Sequence, residues 1–570
     1  MSNAAQGLAA TLNAGRLEAE KRREQGVFLG LSAPALLLVT IIAVVPILWL
    51  SSLSFFDAQG APSLENYERI FTSSLYRNTF VVTLEISVSV TLACMLLGYP
   101  LCYWLAHQPE RRANVLLVFV LVPFWTSVLV RTYAWLVLLQ RNGIINDTFL
   151  YFGLIDEPLR LANNLTGSII GMIHIMLPFL VLPLYATMRG IDGDLVRAAV
   201  GLGSSPRSAF WRVYLPMSLP GLFAGTVLVF ILSLGFYVTP ALLGGGRVQM
   251  LAQRIESTIT VYANWGAASA LGVVLLVIAL AILWLMHRVF GLDKLFMRWT
   301  EGCFMEMVGQ RKTDGLWLTA IGIAILFFLI VPTLIVIPMS FSGASYLEFP
   351  PTSWSLRWYR VYFGSTEWMA ATRTSLIAAF LTVIIATPIG ALCAYGLHCL
   401  GPRVRNIAQL LVIVPIVVPV ILIAVGVFSL YAQLGLNYTL TGVVLAHVMM
   451  AVPFVIVTVI SGLKNYDFNQ ELAARSLGAS RAYALWSVTV PQVKFSIQTG
   501  AFLAFITSLD EVVISMMVSG GERATITRRM FNSLRDQLDP TIAAISTCLI
   551  TVSVLALIGV QLIGGRGKTQ

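Results

Sequence analysis

Two nine-residue stretches decide how this chain is read: Arg197-Ala-Ala-Val-Gly-Leu-Gly203-Ser-Ser205 and Leu472-Ala-Ala-Arg-Ser-Leu-Gly478-Ala-Ser480. The match runs on without a gap through Trp211 and Trp486 to Pro216 and Pro491. Ala-Ala, Gly, Ser, Trp and Pro recurring at one spacing mark an internal repeat. Each copy reads as two short helices around a tight turn. Asp192 or Asp194 can cap the first helix of one copy, and Asp467 or Asn469 that of the other. Ala198, Ala199 and Leu202, like Ala473, Ala474 and Leu477, give each first helix a small apolar face. Gly203 and Gly478 permit the left-handed backbone that ends a helix. Ser205 and Ser480 are placed as N-caps of the second helix, with Pro206 at its first position in one copy. A helix pair with so little side chain cannot pack a core of its own, and suits insertion into a groove on another protein.

The repeat extends outward from these stretches. Ser63-Leu64-Glu65-Asn66-Tyr67 has a counterpart in Ser355-Leu356-Arg357-Trp358-Tyr359, and Pro123 and Pro415 then fall at the same spacing. Between such marks the chain is apolar: 57% of its residues are hydrophobic and 11% charged, which a water-soluble protein could not cover. A bilayer core about 30 Å thick takes roughly 20 apolar residues as a helix. Six runs of that kind centre on 27–50, 80–106, 113–139, 166–188, 218–243 and 266–290, and six more on 314–340, 371–398, 406–432, 440–462, 495–518 and 541–563. The runs are long and continuous, which argues for helices rather than the alternating strands of a membrane barrel. The expected fold is an all-α polytopic membrane protein of about 12 transmembrane helices in two six-helix repeats. An even number per half puts both loops on one side of the membrane, so the repeats are parallel. The expected division is a cytoplasmic tail over 1–26, a first half over 27–300 with its loop at 190–216, a linker over 301–313, and a second half over 314–570 with its loop at 464–491.

The formal charge of +10 does not point to nucleic acid, because the positive residues collect at one set of helix ends. With the N-terminus inside, Lys21, Lys294, Lys312, Lys464, Lys494 and Lys568 all fall on the cytoplasmic side, beside Arg22, Arg23, Arg111, Arg112, Arg403 and Arg405. This positive-inside bias places both termini in the cytoplasm. Arg523, Arg528 and Arg529 are exceptions on the outer side. The first apolar run is too long for the core of a secretory signal and lacks a small-residue cleavage site after it, so it is expected to be retained. Cys94, Cys102, Cys303, Cys393, Cys399 and Cys548 have no paired spacing, and neither a disulfide framework nor a metal site is expected.

Read together, these loops resemble a known family. Glu-Ala-Ala, three residues, Gly, nine residues and Ile-x-Leu-Pro is the coupling-loop signature of type I ABC importer permeases. Ala198-Ala199, Gly203, Val213, Leu215 and Pro216 match it in one half, as do Ala473-Ala474, Gly478, Val488 and Pro491 in the other. The signature Glu is replaced by Arg197 and by Leu472, with Glu471 one place early. The resemblance implies that two copies of a cytoplasmic ATPase subunit bind ATP and Mg between them and move the two loops. The permease would then open alternately to either side of a bacterial inner membrane, receiving solute from a periplasmic binding protein. It also implies that this chain is not itself an enzyme and carries no cofactor. Gly567-Lys568-Thr569 is no phosphate-binding loop, because Leu562 stands where a glycine is required.

Ionisable residues inside apolar runs cost about 2.5 to 3.5 kcal/mol each to insert, and so mark candidate solute contacts. Asp510 and Glu511 sit together in Ser508-Leu509-Asp510-Glu511-Val512-Val513, with Glu85 in the second run and Arg131 in the third. Acidic groups favour a cationic solute, and the faces of Trp125, Tyr133, Trp135, Phe236 and Tyr237 could add cation-π attraction. The competing expectation is that these aromatics are packing and that a buried Asp is paired with Arg131. Val130-Arg131-Thr132-Tyr133-Ala134-Trp135 and Pro240-Ala241-Leu242-Leu243-Gly244-Gly245 resemble the first permease subunit of spermidine/putrescine-type importers. The run around Asp510 resembles the second, so the chain is similar to both joined end to end. This implies a small cationic or amine-bearing solute, with opines, phosphonates, iron or thiamine as alternatives. An ion-coupled secondary transporter shares the twelve helices and repeated halves but has no use for the loop pair. A channel is disfavoured by the lack of a re-entrant filter segment. His107, His174, His287, His398 and His447 are scattered and read as structural.

Overall fold

The computed structural model describes residues 22–57, 60–290, 315–346, 348–536 and 539–565. The expected linker over 301–313, the tail up to residue 21, Cys303 and the Gly567-Lys568-Thr569 decoy lie outside them. Among the described residues no sheet forms, only two isolated bridges, Phe56 with Pro62 and Ser342 with Trp354. Even these are a repeat, each following the first helix of its half. Ser54 hydrogen-bonds the Tyr67 hydroxyl at 2.7 Å and Ser340 the Tyr359 hydroxyl at 2.8 Å in the same two places.

Each half is built on three long helices in mutual contact: Ser74–His107, Leu165–Arg189 and Leu215–Leu234 in one, Thr366–Cys399, Leu440–Lys464 and Val490–Asp510 in the other. Apolar runs of this length keep every backbone group paired within the helix, as a bilayer demands. Eight described helices are long and apolar enough to cross a membrane, and ten if each of two bent pairs is one span. The remaining two expected runs correspond to Val490–Asp510, which carries Gln492, Lys494 and Gln498, and to Thr541–Gly565.

Several runs that read as single helices are broken. The run over 113–139 divides into Glu110–Trp125 and Val128–Tyr151, bent by 94°, and that over 406–432 into Pro402–Val417 and Val420–Leu434, bent by 97°. Thr126-Ser127 and Val418-Pro419 form the two breaks, three residues beyond Pro123 and Pro415. Ser127 caps the new helix by accepting from the Leu129 N–H at 3.3 Å. The runs over 218–243 and 495–518 also break, leaving the short helices Val238–Leu243 and Val513–Val518.

The first helix of each half crosses to the other half. Leu316–Met339 packs on Ser74–His107, Glu110–Trp125 and Val128–Leu139. Gly322 lies so close to Trp104 that an added Cβ would sit 2.3 Å from the indole, and the Leu329 carbonyl meets His174 Nε2 at 2.9 Å. Arg22–Leu53 packs reciprocally on Val420–Leu434, where Gly426 approaches Pro46. This helix is described from Arg22, and residues 22–26, within the stretch expected as a tail, are helical.

Both loops lie on one face. Arg22–Leu53 starts beside the second loop and ends at the opposite face. Ser74–His107 returns from there to the first loop, where Arg189 Nη1 donates to the Ala106 and Gln108 carbonyls at 3.0 and 3.1 Å.

Candidate functional site

The two loops fold alike down to individual hydrogen bonds. Helix Gly193–Gly201 opens on Asp192, whose Oδ1 accepts from the Asp194 N–H at 2.9 Å, and helix Asn469–Ser476 follows Asp467, whose Oδ1 accepts from the Asn469 N–H at 3.0 Å. The first helix of each loop ends in the paired 5→2 and 6→1 bonds of a Schellman turn. Gly203 donates to Val200 and Ser204 to Ala199 at 3.0 and 3.1 Å; Gly478 donates to Arg475 and Ala479 to Ala474 at the same distances. The two glycines have φ of +92° and +97°. Ser205 Oγ then accepts from the Ser208 N–H and Ser480 Oγ from the Tyr483 N–H, both at 3.2 Å, with Pro206 opening the next helix in the first copy.

A π-turn follows in each copy, Phe210–Tyr214 and Leu485–Thr489. Pro216 and Pro491 explain it. Proline has no N–H for the carbonyl four residues back and its ring crowds that carbonyl, so the helix widens by one residue ahead of it. The π-turn Thr40–Val44 precedes Pro46 at the same offset.

The tips of both loops project from the protein. Leu202 is 89% exposed and Leu477 90%, Trp211 65% and Trp486 64%. Ala198 and Ala473 are exposed, Ala199 and Ala474 half-buried, and Arg197 is exposed and paired with Asp194 in its own helix. Glu471 points the other way. It is buried, accepting from the Tyr395 hydroxyl at 2.7 Å and the Thr489 hydroxyl at 2.8 Å, so this displaced carboxylate secures the loop to its own half.

The intramembrane candidates separate into three groups. Asp510 and Glu511 are half-buried, Asp510 at the contact between halves. Asp510 Oδ1 accepts from the Val128 N–H at 2.9 Å, capping the bent helix of the other half at its positive end. Arg131, one turn further on, is 3% exposed, and its Nε and Nη1 have no hydrogen-bond partner. The matching contact in the other half is apolar: Gly235 stands where Asp510 does, and packs on Pro419. Glu511 Oε1 accepts from the Ile514 N–H at 2.9 Å, capping Val513–Val518. Trp125 is half-buried and edge-on to Phe502 across the halves, with centroids 6.5 Å apart. Tyr133, Trp135 and Tyr237 are instead core, 1%, 5% and 4% exposed, with Trp135 against His174 and Phe328 and Tyr237 against Phe531. Glu85 is exposed on the outer surface of Ser74–His107 beside Val81, Leu84 and Val88, facing away from the contact between halves.

Sequence reading missed Glu24. It pairs with Arg475 and Arg481, on either side of the Gly478 turn, and its one signal is an acidic residue directly after the basic run Lys21-Arg22-Arg23.

The chain belongs to the family of binding-protein-dependent transport system inner membrane components, whose model matches it twice, over residues 98–290 and 386–566. The spermidine/putrescine transport system permease protein PotB of Haemophilus influenzae is 32% identical over 250 residues, 43% of this chain and 87% of that protein. PotB of Escherichia coli is 33% identical over 216 residues, 38% and 78% of the two chains. PotC of Haemophilus influenzae is 30% identical over 237 residues, 41% and 91%. These similarities are shared between the halves, so the chain is an ABC importer permease with two permease units fused. A solved bacterial alginate ABC transporter, with its pentasaccharide-bound periplasmic protein, is only distantly similar: 18% identity, TM-score 0.41, over 48% of this chain and 98% of that one.

Proposed function

We propose that this permease imports a small amine-bearing cation of polyamine type across a bacterial inner membrane. A periplasmic binding protein delivers the solute, and two ATPase subunits grip the two loops from the cytoplasm. The observation that carries the reading is the pair of leucines, Leu202 and Leu477, held nine-tenths exposed on identical turns. Large apolar side chains presented on a rigid turn, one per half and on one face, fit paired grooves on two copies of one partner.

The solute class is supported by Asp510 and Trp125, half-buried where the halves meet, and by Glu511, half-buried next to Asp510. Carboxylates there attract a cation, and an indole face adds about 0.5 to 2 kcal/mol. The similarity of the halves to spermidine/putrescine permeases agrees with that class. Uptake of labelled putrescine and spermidine into proteoliposomes holding the full chain, the ATPase and the binding protein tests it. ATP-dependent uptake that falls at least tenfold in Glu511→Gln supports the reading. Uptake of neither amine, or full uptake in both Asp510→Asn and Glu511→Gln, refutes it.

A further inference from the structure

The two coupling loops match in backbone but not in anchorage. Beneath the first is a cavity of about 340 Å³, bordered by Tyr103, His107, Phe210 and Tyr214. The second is held by a chain of contacts that begins in the other half. Glu24, in the first turn described of Arg22–Leu53, pairs with Arg475 at 3.5 Å and with Arg481. The Arg481 guanidinium lies 4.8 Å over the Phe28 ring. Phe28 packs edge-on to Tyr395 with centroids 6.0 Å apart, and the Tyr395 hydroxyl donates to Glu471 within the coupling helix. Gly396 lets the helix backbone approach closely enough that an added Cβ would lie 2.6 Å from the Phe28 carbonyl oxygen. In the first loop the residues matching Glu471, Arg475 and Arg481 are Val196, Val200 and Pro206, so none of this network can form there.

We infer that Glu24 is a positioning residue of the importer: it ties the second coupling loop to the first helix of the opposite half, so that movement of that one loop drives both halves. The inference rests on the proposed role of the loops as ATPase contacts. Its physical basis is that one carboxylate bridges two arginines on opposite sides of a glycine turn. Arg475 belongs to the helix before Gly478 and Arg481 to the helix after it, so the bridge fixes the angle between the two. Arg481 is 22% exposed in its side chain and Arg475 34%, which keeps the pair only partly screened. From there Arg22–Leu53 runs to its contact with Val420–Leu434 and, at its far end, with Trp265–Phe290. A push on the second loop is therefore delivered to two places at once through an ionic tether that the first loop lacks.

Two readouts on the full chain test this, one of them independent of transport. Hydrogen exchange of the purified permease should show amides over 469–484 exchanging about fivefold faster in Glu24→Gln, with those over 193–209 unchanged, the size expected for losing a partly exposed bridge. In proteoliposomes with ATPase and binding protein, Glu24→Gln should move about fivefold less solute per ATP hydrolysed. Glu24→Asp, which keeps the charge, should recover most of that ratio, and the exchanged pair Glu24→Arg with Arg481→Glu part of it. Unchanged exchange over 469–484 overturns the inference, even if the solute proves to be different or uptake is absent. Faster exchange with an unaltered ratio of solute to ATP overturns it as well. A Glu24→Asp variant no better than Glu24→Gln reduces the contact to ordinary packing and also contradicts it.

Discussion

Replacing both turn glycines, Gly203→Ala and Gly478→Ala, isolates backbone conformation from every other property of the loops. No atom lies within 4 Å of an added Cβ at either position, so no clash accompanies the change. The cost comes from φ of +92° and +97°, where an L side chain is disfavoured by roughly 1–2 kcal/mol. That is about five- to thirtyfold in the equilibrium constant that favours the native turn at each loop. The loops belong to separate halves, so the two costs add. The assay is titration of the ATPase subunit onto the permease in nanodiscs. Each single variant should weaken binding at its own loop by up to about five- to thirtyfold, and the double variant should weaken the joint binding of two subunits by up to the product of the two. Asn, which tolerates left-handed backbone, should cost less than Ala at both sites. A double Ala variant that binds the ATPase within about twofold of the unaltered protein would refute the claim that these turns present the docking surface.

Other consequences follow from single contacts. Leu202→Asp or Leu477→Asp should abolish ATPase binding at its own loop and leave the melting temperature of the permease unchanged, because both side chains are nine-tenths exposed. Glu471→Ala strands the Tyr395 hydroxyl, leaves Thr489 with Tyr466 alone at 3.2 Å, and should cost about 1–3 kcal/mol in a denaturation measurement, whereas Glu471→Gln keeps an acceptor and should cost less. Asp510→Ala removes a cap worth about 0.5–2 kcal/mol, whereas Asp510→Asn keeps an acceptor for the Val128 N–H, so the melting temperature of the Ala variant should fall further. Gly322→Val forces a Cβ against Trp104 and should cost about 1–3 kcal/mol, while Gly30→Ala, with open space around it, should be silent in the same melt.

What was readable in the chain, and what was not, follows from the range of the interactions. The loops were legible because caps and left-handed glycines are set by residues within a few positions of one another; the π-turns ahead of Pro216 and Pro491 were not read. The bends at Thr126-Ser127 and Val418-Pro419 were not, since the apolar run continues straight through each and hydropathy has no term for direction. A turn at that depth is tolerated where protein surrounds it. Asp510 stood out as a charge in an apolar run, but its partner is a backbone N–H 382 residues away, supplied by the other half. Glu24 reads as part of a polar tail until the crossing of Arg22–Leu53 brings it to Arg475 and Arg481. The aromatics show the opposite failure. Tyr133, Trp135 and Tyr237 were attractive as cation-binding faces, yet at helical spacing they form core, while Trp125, at the junction of the halves, and Phe236 stay half-buried.

Cysteine labelling at the two N-caps of the loops probes the whole scheme most directly. Ser205→Cys and Ser480→Cys, each tested singly with a membrane-impermeant thiol reagent, should react in inside-out vesicles and stay unreacted in right-side-out ones. Bound ATPase should shield both. Reaction of the two sites from opposite faces of the membrane, or equal reaction of either with and without the ATPase, would contradict the account.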